Sequence, residues 1–312
     1  MIIRKYQQDD EAEVVALWNT VLWADRISPE LFREKILLDP NFGEDGVFIA
    51  EEGKRIVGAA VTFVWRAENN PWKQGNVAAS RETGSLLPVI CGEKDVAGKL
   101  IGAAEAYLKE CGRKTVSVCR HSPFFFPNAV ERECYPEIYQ FFVDNGYEPQ
   151  ETTYSMGRDL RHYKFPDEAR ALEAKLREEG ITFATYRPEH LLAVKRYMLG
   201  ECAGWMWDFA TKVCMKNQEH EITLAFKGNE VVGYCQYNFR GEQMERVGPF
   251  SIAQSMRGKN VGRVMTAHLL QTMSGHKMHF AYFCWTGSQY KFYLKNGFEI
   301  FRKQTPFEKV LQ

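Results

Sequence analysis

The feature that most constrains this chain is a pattern of strands and glycines that occurs twice. Residues 49–58 read Ile-Ala-Glu-Glu-Gly-Lys-Arg-Ile-Val-Gly, and residues 224–233 repeat the pattern 175 positions later. Two apolar runs around a glycine turn are typical of a β-hairpin. The repeat therefore indicates two related domains, which 312 residues can accommodate. The identical pairs are Ala50 and Ala225, Gly53 and Gly228, Val57 and Val232, and Gly58 and Gly233.

A second match shows that the repeat extends beyond the hairpin. Asn-Gly-Tyr-Glu at 145–148 and Asn-Gly-Phe-Glu at 296–299 each follow a short aromatic and apolar stretch. Each half then reads as a strand, one or two helices, a hairpin, a third long strand, a helix, a strand, a helix and a strand. Such mixing of strands and helices predicts an α/β fold.

The segment between the two copies predicts a linker helix. Pro166 lies at its start, Asp167 and Glu168 follow, and Gly180 lies at its end. Proline and acidic residues in the first turn, with a glycine at the end, are typical of a helix. The predicted ranges are a domain over 1–160, a linker helix within 161–180, and a domain over 181–312.

Composition excludes several classes of protein. Forty basic residues balance forty acidic ones, so no overall charge attracts nucleic acid. The chain has no run near the roughly 18 apolar residues of a membrane span, and its first residues lack the apolar core of a signal peptide. We therefore expect a cytoplasmic protein without membrane contact. Eight cysteines without a CxxC pair, and histidines without HExxH spacing, predict neither a metal site nor a disulfide framework.

The most specific motif lies where a strand meets a helix in the second half. The strand at 247–252 is followed by Arg-Gly-Lys-Asn-Val-Gly at 257–262 and then by apolar residues at helical spacing. The first N–H groups of a helix lack partners and carry partial positive charge, so such a turn can hold a phosphate or pyrophosphate. Arg257 and Lys259 add positive charge. The alternative is a solvated turn that only caps the helix.

These residues resemble the Arg/Gln-x-x-Gly-x-Gly/Ala coenzyme A turn of the GNAT superfamily of N-acetyltransferases. Asn260 stands where the family prefers glycine, and asparagine is among the few residues that tolerate a positive φ. Residues 289–298 resemble the second motif of the family, in which a tyrosine four residues before a glycine lies near the coenzyme sulfur. Here that residue is Tyr293. The order of elements is also similar in both halves, so the resemblance covers nearly the whole chain as a tandem GNAT protein.

The resemblance implies a mixed α/β (α+β) fold of two tandem GNAT-like domains, each a mostly antiparallel twisted sheet flanked by helices. It also implies acetyl-CoA as co-substrate, with the diphosphate on the turn and the pantetheine arm beside the third strand. Pro249 supports this arrangement, because a residue without an N–H marks a place where a strand can part from its neighbour. The predicted cofactor-binding residues are Phe250, Ser251, Ile252, Arg257, Gly258, Lys259, Asn260, Val261, Gly262 and Arg263.

By resemblance, the reaction is direct attack of an amine on the thioester. Tyr293 would then protonate the leaving thiolate, because a phenol of pKa about 10 is protonated at neutral pH. A purely structural aromatic is the alternative at this position. Glu245 is the first candidate base, followed by Glu242 and His220, although charges at such positions are often only at the surface. Asp208, in the tryptophan-rich run 205–209, suits a cation pocket or a core helix.

The first half departs from the family pattern. Its matching turn, Glu-Lys-Asp-Val-Ala-Gly at 93–98, places two carboxylates where phosphates would bind, which opposes anion binding. Phe142 stands at the position of Tyr293 and has no proton to donate. We infer a degenerate domain that shapes the substrate cleft. Tyr139 and the aromatic run at 124–128 either line that cleft or pack in the core.

The predicted function is therefore an acetyl-CoA-dependent N-acetyltransferase whose active site lies in the C-terminal domain. The expected partner is a small-molecule or peptide amine, and the expected state is a monomer or homodimer. Two alternatives stay open: a catalytically inactive protein that binds acyl-CoA for regulation, and an aminoacyl or peptidyl transferase built from two related domains.

Overall fold

The chain folds into two compact units whose limits differ from the predicted ranges. The computed structural model describes residues 1–39, 41–65, 82–119, 129–215, 218–239 and 243–311. The first unit comprises the described residues up to Thr153 together with those from Arg302 onwards. The second comprises Tyr154–Phe301. The last strand of the chain thus lies in the first unit, and the predicted linker helix lies in the second.

The first unit is built on one sheet whose pairs are mostly antiparallel. The strands are β1 (Ile2–Lys5), β2 (Val47–Glu52), β3 (Arg55–Val64), β4 (Thr83–Leu86), β5 (Ile90–Cys91), β6 (Thr115–Val118), β7 (Glu148–Pro149) and β15 (Phe307–Val310). Their order in the sheet is β1-β2-β3-β4-β6-β15-β7, and β5 also pairs with β3. The helices are α1 (Glu11–Val21), α2 (Pro29–Phe32), α3 (Lys94–Glu110) and α4 (Pro136–Asp144).

The second unit has the same kind of sheet. Its strands are β8 (Thr153–Asp159), β9 (Ile181–Thr185), β10 (Ile222–Lys227), β11 (Glu230–Phe239), β12 (Gln243–Ile252), β13 (Phe280–Thr286) and β14 (Glu299–Gln304). The order is β14-β8-β13-β12-β11-β10-β9. The helices are α5 (Asp167–Glu178), α6 (Leu191–Glu201), α7 (Met206–Ala210), α8 (Val261–Gly275) and α9 (Tyr290–Lys295).

These sheets confirm the predicted fold class. Each unit contains antiparallel hairpins, and the described residues also include a parallel pair in each: β4 with β6 in the first unit and β12 with β13 in the second. Helices flank both sheets, as expected for a mixed α/β chain with two related halves.

The repeated glycines allow helices to pack closely on the sheets. A Cβ atom at Gly58 would lie 2.7 Å from Leu100 Cδ1 of α3. A Cβ atom at Gly233 would lie 2.9 Å from Ile252 Cδ1 and 3.0 Å from Met265 Sδ of α8. A Cβ atom at either position would therefore force these neighbouring side chains to shift, and glycine avoids this.

The end of the chain differs from the single last strand predicted from residue 297. Two strands are present, β14 and β15, and Pro306 lies between them, where it cannot donate to a ladder. In the first sheet, β15 lies between β6 and β7. In the second sheet, β8, which comes from the first half of the sequence, lies between β13 and β14. The predicted ranges place β8 in the first domain and β15 in the second. In the structure, β8 belongs to the second sheet and β15 to the first.

No helix among the described residues is long and apolar enough to cross a membrane.

Candidate active site

A bulge in β12 shapes the centre of the second unit. Cys235 of β11 pairs with Phe250 and Tyr237 pairs with Val247, so two residues of β12 lie opposite one residue of β11. These two residues of β12 are Gly248 and Pro249, which are joined by a cis peptide bond. Gly248 has φ of 131°, a conformation that favours glycine. The bulge redirects the last residues of β12, as bulges near functional sites often do.

Beyond this bulge, β12 has lost its pairing with β13. Among the described residues, the parallel register of these two strands consists of the pair Arg246 and Tyr282. The strands therefore diverge from Val247 onwards, while β12 continues to pair with β11 as far as Ile252. This arrangement confirms the prediction that β12 parts from its neighbour at Pro249. It leaves one edge of 248–252 facing a cleft instead of a strand.

The predicted anion-binding turn follows directly. Residues 257–260 form an exposed turn between Met256, which is buried, and the first residue of α8, Val261. Gly258 has φ of 78° and Asn260 has φ of 64°, so both adopt the left-handed conformation. The prediction that Asn260 tolerates a positive φ in place of glycine is therefore confirmed. Two left-handed residues before a helix turn successive N–H groups towards one side, which favours anions.

A cleft of about 1240 Å³ connects the diverging strands with this turn. Nine of the ten predicted cofactor-binding residues line it; Lys259 does not, although it is exposed in the same turn. A Cβ atom at Gly262 would make only ordinary contacts, with Ile252 Cγ1 and Phe292 Cζ at 3.4 Å, so a side chain larger than alanine would fill this part of the cleft. Basic side chains line the end of the cleft that meets the turn. The basic residues that line the cleft are Arg257, Arg263, Lys291 and Lys295.

Tyr293 lies on the wall of the cleft and also packs in the core. Its ring is 4.0 Å from Phe283 and 6.1 Å from Phe250, measured between centroids. Burial, with a smaller contribution from Cys235, raises the pKa of the Tyr293 hydroxyl well above its usual value. The phenol thus stays protonated over the physiological range. The side chain thus packs against aromatic rings and also lines the cleft, and its role as an acid stays a prediction.

Glu245 is not brought into the cleft. Its Oε1 accepts hydrogen bonds from the backbone N–H groups of His279, at 2.9 Å, and Phe280, at 3.0 Å. It therefore ties the start of β13 to β12 below the point where the strands diverge. A carboxylate held in this way has a structural task, and this placement argues against Glu245 as the base.

The structure also places two other candidates, His220 and Asp208, outside the described lining of the cleft. His220 is exposed, 3.9 Å from Glu221 and next to the ring of His276. Asp208 lies on α7 and is absent from the described lining of the cleft, although Trp205 lines it. Glu242 lies outside the described residues.

Sequence analysis missed the one carboxylate found among the described residues of the cleft wall, Glu201. It ends α6, and its Oε2 accepts a hydrogen bond from the Gln254 N–H at 3.1 Å. This contact connects α6 to the start of the turn. Glu201 belongs to no motif, and only the hairpin and helix packing bring it near residues 250–252, so the sequence carried no signal for it.

The first unit has no equivalent of the turn, and the alignment of 93–98 with it was wrong. Gly58 pairs with Cys91 as Gly233 pairs with Ile252, so Cys91 is the counterpart of Ile252. Helix α3 then begins at Lys94, after two residues, whereas α8 begins at Val261, after the residues 253–260. Residues 94–98 are therefore helical, and the whole turn is missing.

The remaining aromatic candidates of the first unit are core residues where they are described. Phe142 is fully buried, 5.5 Å from the ring of Phe307. Tyr139 packs on Phe307 at 4.9 Å, which favours the core interpretation over a place in a cleft. Residues 124–128 lie outside the described residues.

Comparisons with known proteins concern the second unit, which contains this cleft. Residues 185–298 match the model of the acetyltransferase (GNAT) family. A search of curated proteins finds no match. The matched range contains β12, the turn, α8 and Tyr293, and acyl transfer is the general activity that this family supports.

Several solved structures share the fold. The glucosamine N-acetyltransferase region of a fungal multi-domain GH3 β-N-acetylglucosaminidase superposes with a TM-score of 0.76 at 18% identity, covering 99% of this chain and 38% of that one. This chain thus spans 38% of the fungal chain. A GCN5-related N-acetyltransferase from Sphaerobacter thermophilus gives 0.67 at 13% identity, with 100% and 96% covered. A tandem GNAT protein from the clavulanic acid biosynthesis pathway gives 0.60 at 12%, with 100% and 98% covered.

At these identities the solved structures establish the fold alone. The family match establishes more for the part that holds the cleft. At residues 185–298, the part of the chain that holds the cleft, the protein is therefore similar to the acetyltransferase (GNAT) family.

Proposed function

We propose that this protein transfers the acetyl group of acetyl-CoA to a primary amine in the cleft of the second unit. One observation carries the proposal: β12 and β13 diverge beside a helix N-terminus whose turn has two left-handed residues, all within the GNAT domain. A slot that ends at an anion-binding turn fits an extended, diphosphate-bearing thioester. The first unit lacks that turn, so we assign it no carrier site.

The turn would hold the diphosphate. N–H groups at 258–262 have no acceptor inside α8, because the first amides of a helix lack intrahelical partners. Arg257 and Arg263 line the same end of the cleft and add positive charge. Arg257 Nε donates to Ile252 O at 3.2 Å, which holds this side chain across the turn. Backbone amides and arginines together are the usual protein ligands of phosphate groups.

The free edge of β12 would bind the acyl end. Since residues 248–252 no longer pair with β13, N–H groups on that edge are available to the pantetheine arm and to the thioester oxygen. Bound acetyl-CoA supplies an acyl group activated as a thioester. Donors fixed where negative charge develops contribute about 3–4 kcal/mol each.

Two side chains would act as the general acid and the general base. Tyr293, kept protonated by its raised pKa, donates a hydrogen bond to the departing sulfur. Glu201, the carboxylate on the cleft wall, acts as the base instead of Glu245. It receives the amine proton, directly or through water. Removing that proton at neutral pH costs about 4 kcal/mol for an amine of pKa near 10.

The acceptor is a primary amine, and the fungal neighbour suggests amino sugars as the first class to test. The full-length chain would be titrated with acetyl-CoA by calorimetry and then assayed for free thiol with amino sugars, diamines and peptide N-termini. Binding together with amine-dependent thiol release supports the proposal. Binding without release for any amine supports a regulatory acyl-CoA-binding protein. Absence of binding overturns the carrier site and leaves the aminoacyl or peptidyl transferase alternative.

A further inference from the structure

We propose that a basic side cavity next to the cleft binds the 3′-phosphate of coenzyme A, so that the protein discriminates against carriers without this group. The inference rests on the proposed function and extends it to residues outside the family-matched range. It also places α5, the helix that the sequence predicted only as a linker, in the wall of this side cavity.

The side cavity has a volume of about 260 Å³ and lies along α8. Arg158, Arg263 and Lys295 line it, and no carboxylate does among the described residues. Its remaining lining comes from α5, α8 and the loop after α9. Three cationic side chains around a small cavity favour an anion with two negative charges, and a phosphate monoester is the common biological group of that kind.

The side cavity and the cleft are neighbours. Arg263, Lys295 and Asn296 line both. Arg263 follows the anion-binding turn by a single residue, so a carrier with its diphosphate on the turn has its adenosine end within reach of this side chain. Coenzyme A carries a phosphate monoester on that end, and 3′-dephospho-coenzyme A does not.

Arg158 is held in position for such a ligand. Its guanidinium lies 5.0 Å from the ring of Tyr163, and its Nη1 donates to the backbone oxygen of Asn296. The guanidinium also packs under Gly297, where a Cβ atom would lie 2.9 Å from Nη1. A guanidinium fixed in this way loses little conformational freedom on binding a phosphate.

Helix α5 supplies a competing carboxylate. Both oxygens of Glu168 accept hydrogen bonds from Arg263, at 2.6 and 2.5 Å. Glu168 is largely exposed, and exposed ion pairs contribute little stability. The phosphate can therefore replace this carboxylate on Arg263. Because the Arg263–Glu168 ion pair must break first, the free energy of breaking it is subtracted from the binding free energy of the phosphorylated carrier.

The test compares coenzyme A with 3′-dephospho-coenzyme A on the full-length chain by calorimetry. Coenzyme A should bind at least about tenfold more tightly, as expected for charge-assisted hydrogen bonds to a phosphate. Arg158→Gln should remove about fivefold or more of this preference and leave the affinity for the dephosphorylated carrier unchanged, because Arg158 lines the side cavity and not the cleft. Lys295 lines both, so Lys295→Gln should remove a similar part of the preference and also weaken binding of the dephosphorylated carrier. Lys295 is exposed, so its variant should fold even if loss of Arg158 disturbs the loop at Gly297.

Two matched controls separate this effect from general charge. Lys291, on the same helix as Lys295, lines the cleft but not the side cavity, so Lys291→Gln should change both affinities alike. Glu168→Gln should increase affinity for coenzyme A alone, whereas Asp167→Asn, a fully exposed neighbour, should not. Equal binding of both carriers by the unmodified protein overturns the inference and leaves the proposed function standing. If neither carrier binds, the proposed function fails as well.

Discussion

Single residues in this protein serve packing and chemistry together, and Tyr293 shows how. Its ring lies among Phe283, Phe292 and Phe298 in the core of the second unit, while its edge forms part of the cleft. The same apolar surroundings that fix the ring raise the pKa of its hydroxyl. Packing thereby keeps the proton on the oxygen that is proposed to donate it.

Replacing Tyr293 by phenylalanine should lower kcat about a hundredfold, because the departing sulfur loses its donor. Affinity for acetyl-CoA should change little, since the turn is untouched. The raised pKa predicts that Tyr293 contributes no alkaline limb to the rate profile below about pH 10. Steady-state kinetics across pH would check both points. Tyr290→Phe is the control, because the Tyr290 ring packs against Tyr154, with centroids 4.2 Å apart, and does not line the cleft. Unchanged kcat in Tyr293→Phe would remove the residue from the mechanism.

Glu201 and Glu245 form a second matched pair. Glutamine at either position can still accept the backbone hydrogen bonds, from Gln254 in one case and from His279 and Phe280 in the other, so both variants should fold. Glu201→Gln should lower kcat/KM about a hundredfold, because the amide cannot receive the amine proton. Glu245→Gln should leave kcat/KM nearly unchanged. The reverse pattern would restore Glu245 as the base.

At the scale of elements, the divergence of β12 and β13 determines where a ligand can go. The bulge at Gly248 and Pro249 ends the pairing, and Glu245 fixes the two strands just below it. The slot then leads to the turn before α8. Strand, bulge, turn and helix thus act as one unit, and each part contributes a different surface to the cleft.

The close contact of α8 with β12 gives a prediction about shape. Gly262→Ala should bind acetyl-CoA nearly as well as the unmodified protein, because its Cβ makes only ordinary contacts at 3.4 Å. Gly262→Leu should bind it about tenfold less tightly, since a larger side chain must displace Phe292 or fill the cleft. Calorimetric titration would measure this, with thermal unfolding to show that both variants fold. Equal affinities would place the carrier elsewhere.

Elements with strong local signals were predictable from the sequence. The hairpins, α8 and the left-handed Asn260 followed from glycine positions, apolar spacing and the known tolerance of asparagine for positive φ. Glu201 and the position of Glu245 were not predictable, because each depends on how separate strands and helices meet. The turn of the first unit was misassigned for a related reason: Gly98 matched in spacing, but it lies within α3.

At the scale of the whole molecule, sequence and structure divide the chain differently. Strand β15, from the last residues, lies inside the first sheet between β6 and β7. Arg302 strengthens this arrangement, since its guanidinium bonds to Asp25 at 2.8 and 2.9 Å and to Glu131. Spacing along the sequence carries no information about such pairing, so the boundary at 181 was drawn without it.

Deleting Arg302–Gln312 should therefore unfold the first unit. The deletion removes an interior strand and leaves two buried carboxylates, Asp25 and Glu131, without their cation. Arg302→Gln alone should lower the free energy of unfolding by about 2–3 kcal/mol. This is less than for a fully buried ion pair, because the Arg302 side chain is partly exposed. Lys303→Gln is the control, because its pair with Glu133 is exposed. Hydrogen exchange would locate the loss, and full protection of β2 and β3 in the deletion variant would contradict this account.

The position of β15 also sets an order of events during synthesis. A ribosome releases the chain from its N-terminus, so the segment 154–301 has emerged in full before the strand that fills the gap between β6 and β7 is made. The part that is translated first is thus the last to reach its native state. A truncation near the end of the gene should therefore prevent the N-terminal unit from completing its sheet. Either half of the sequence, expressed alone, would lack one strand of its sheet.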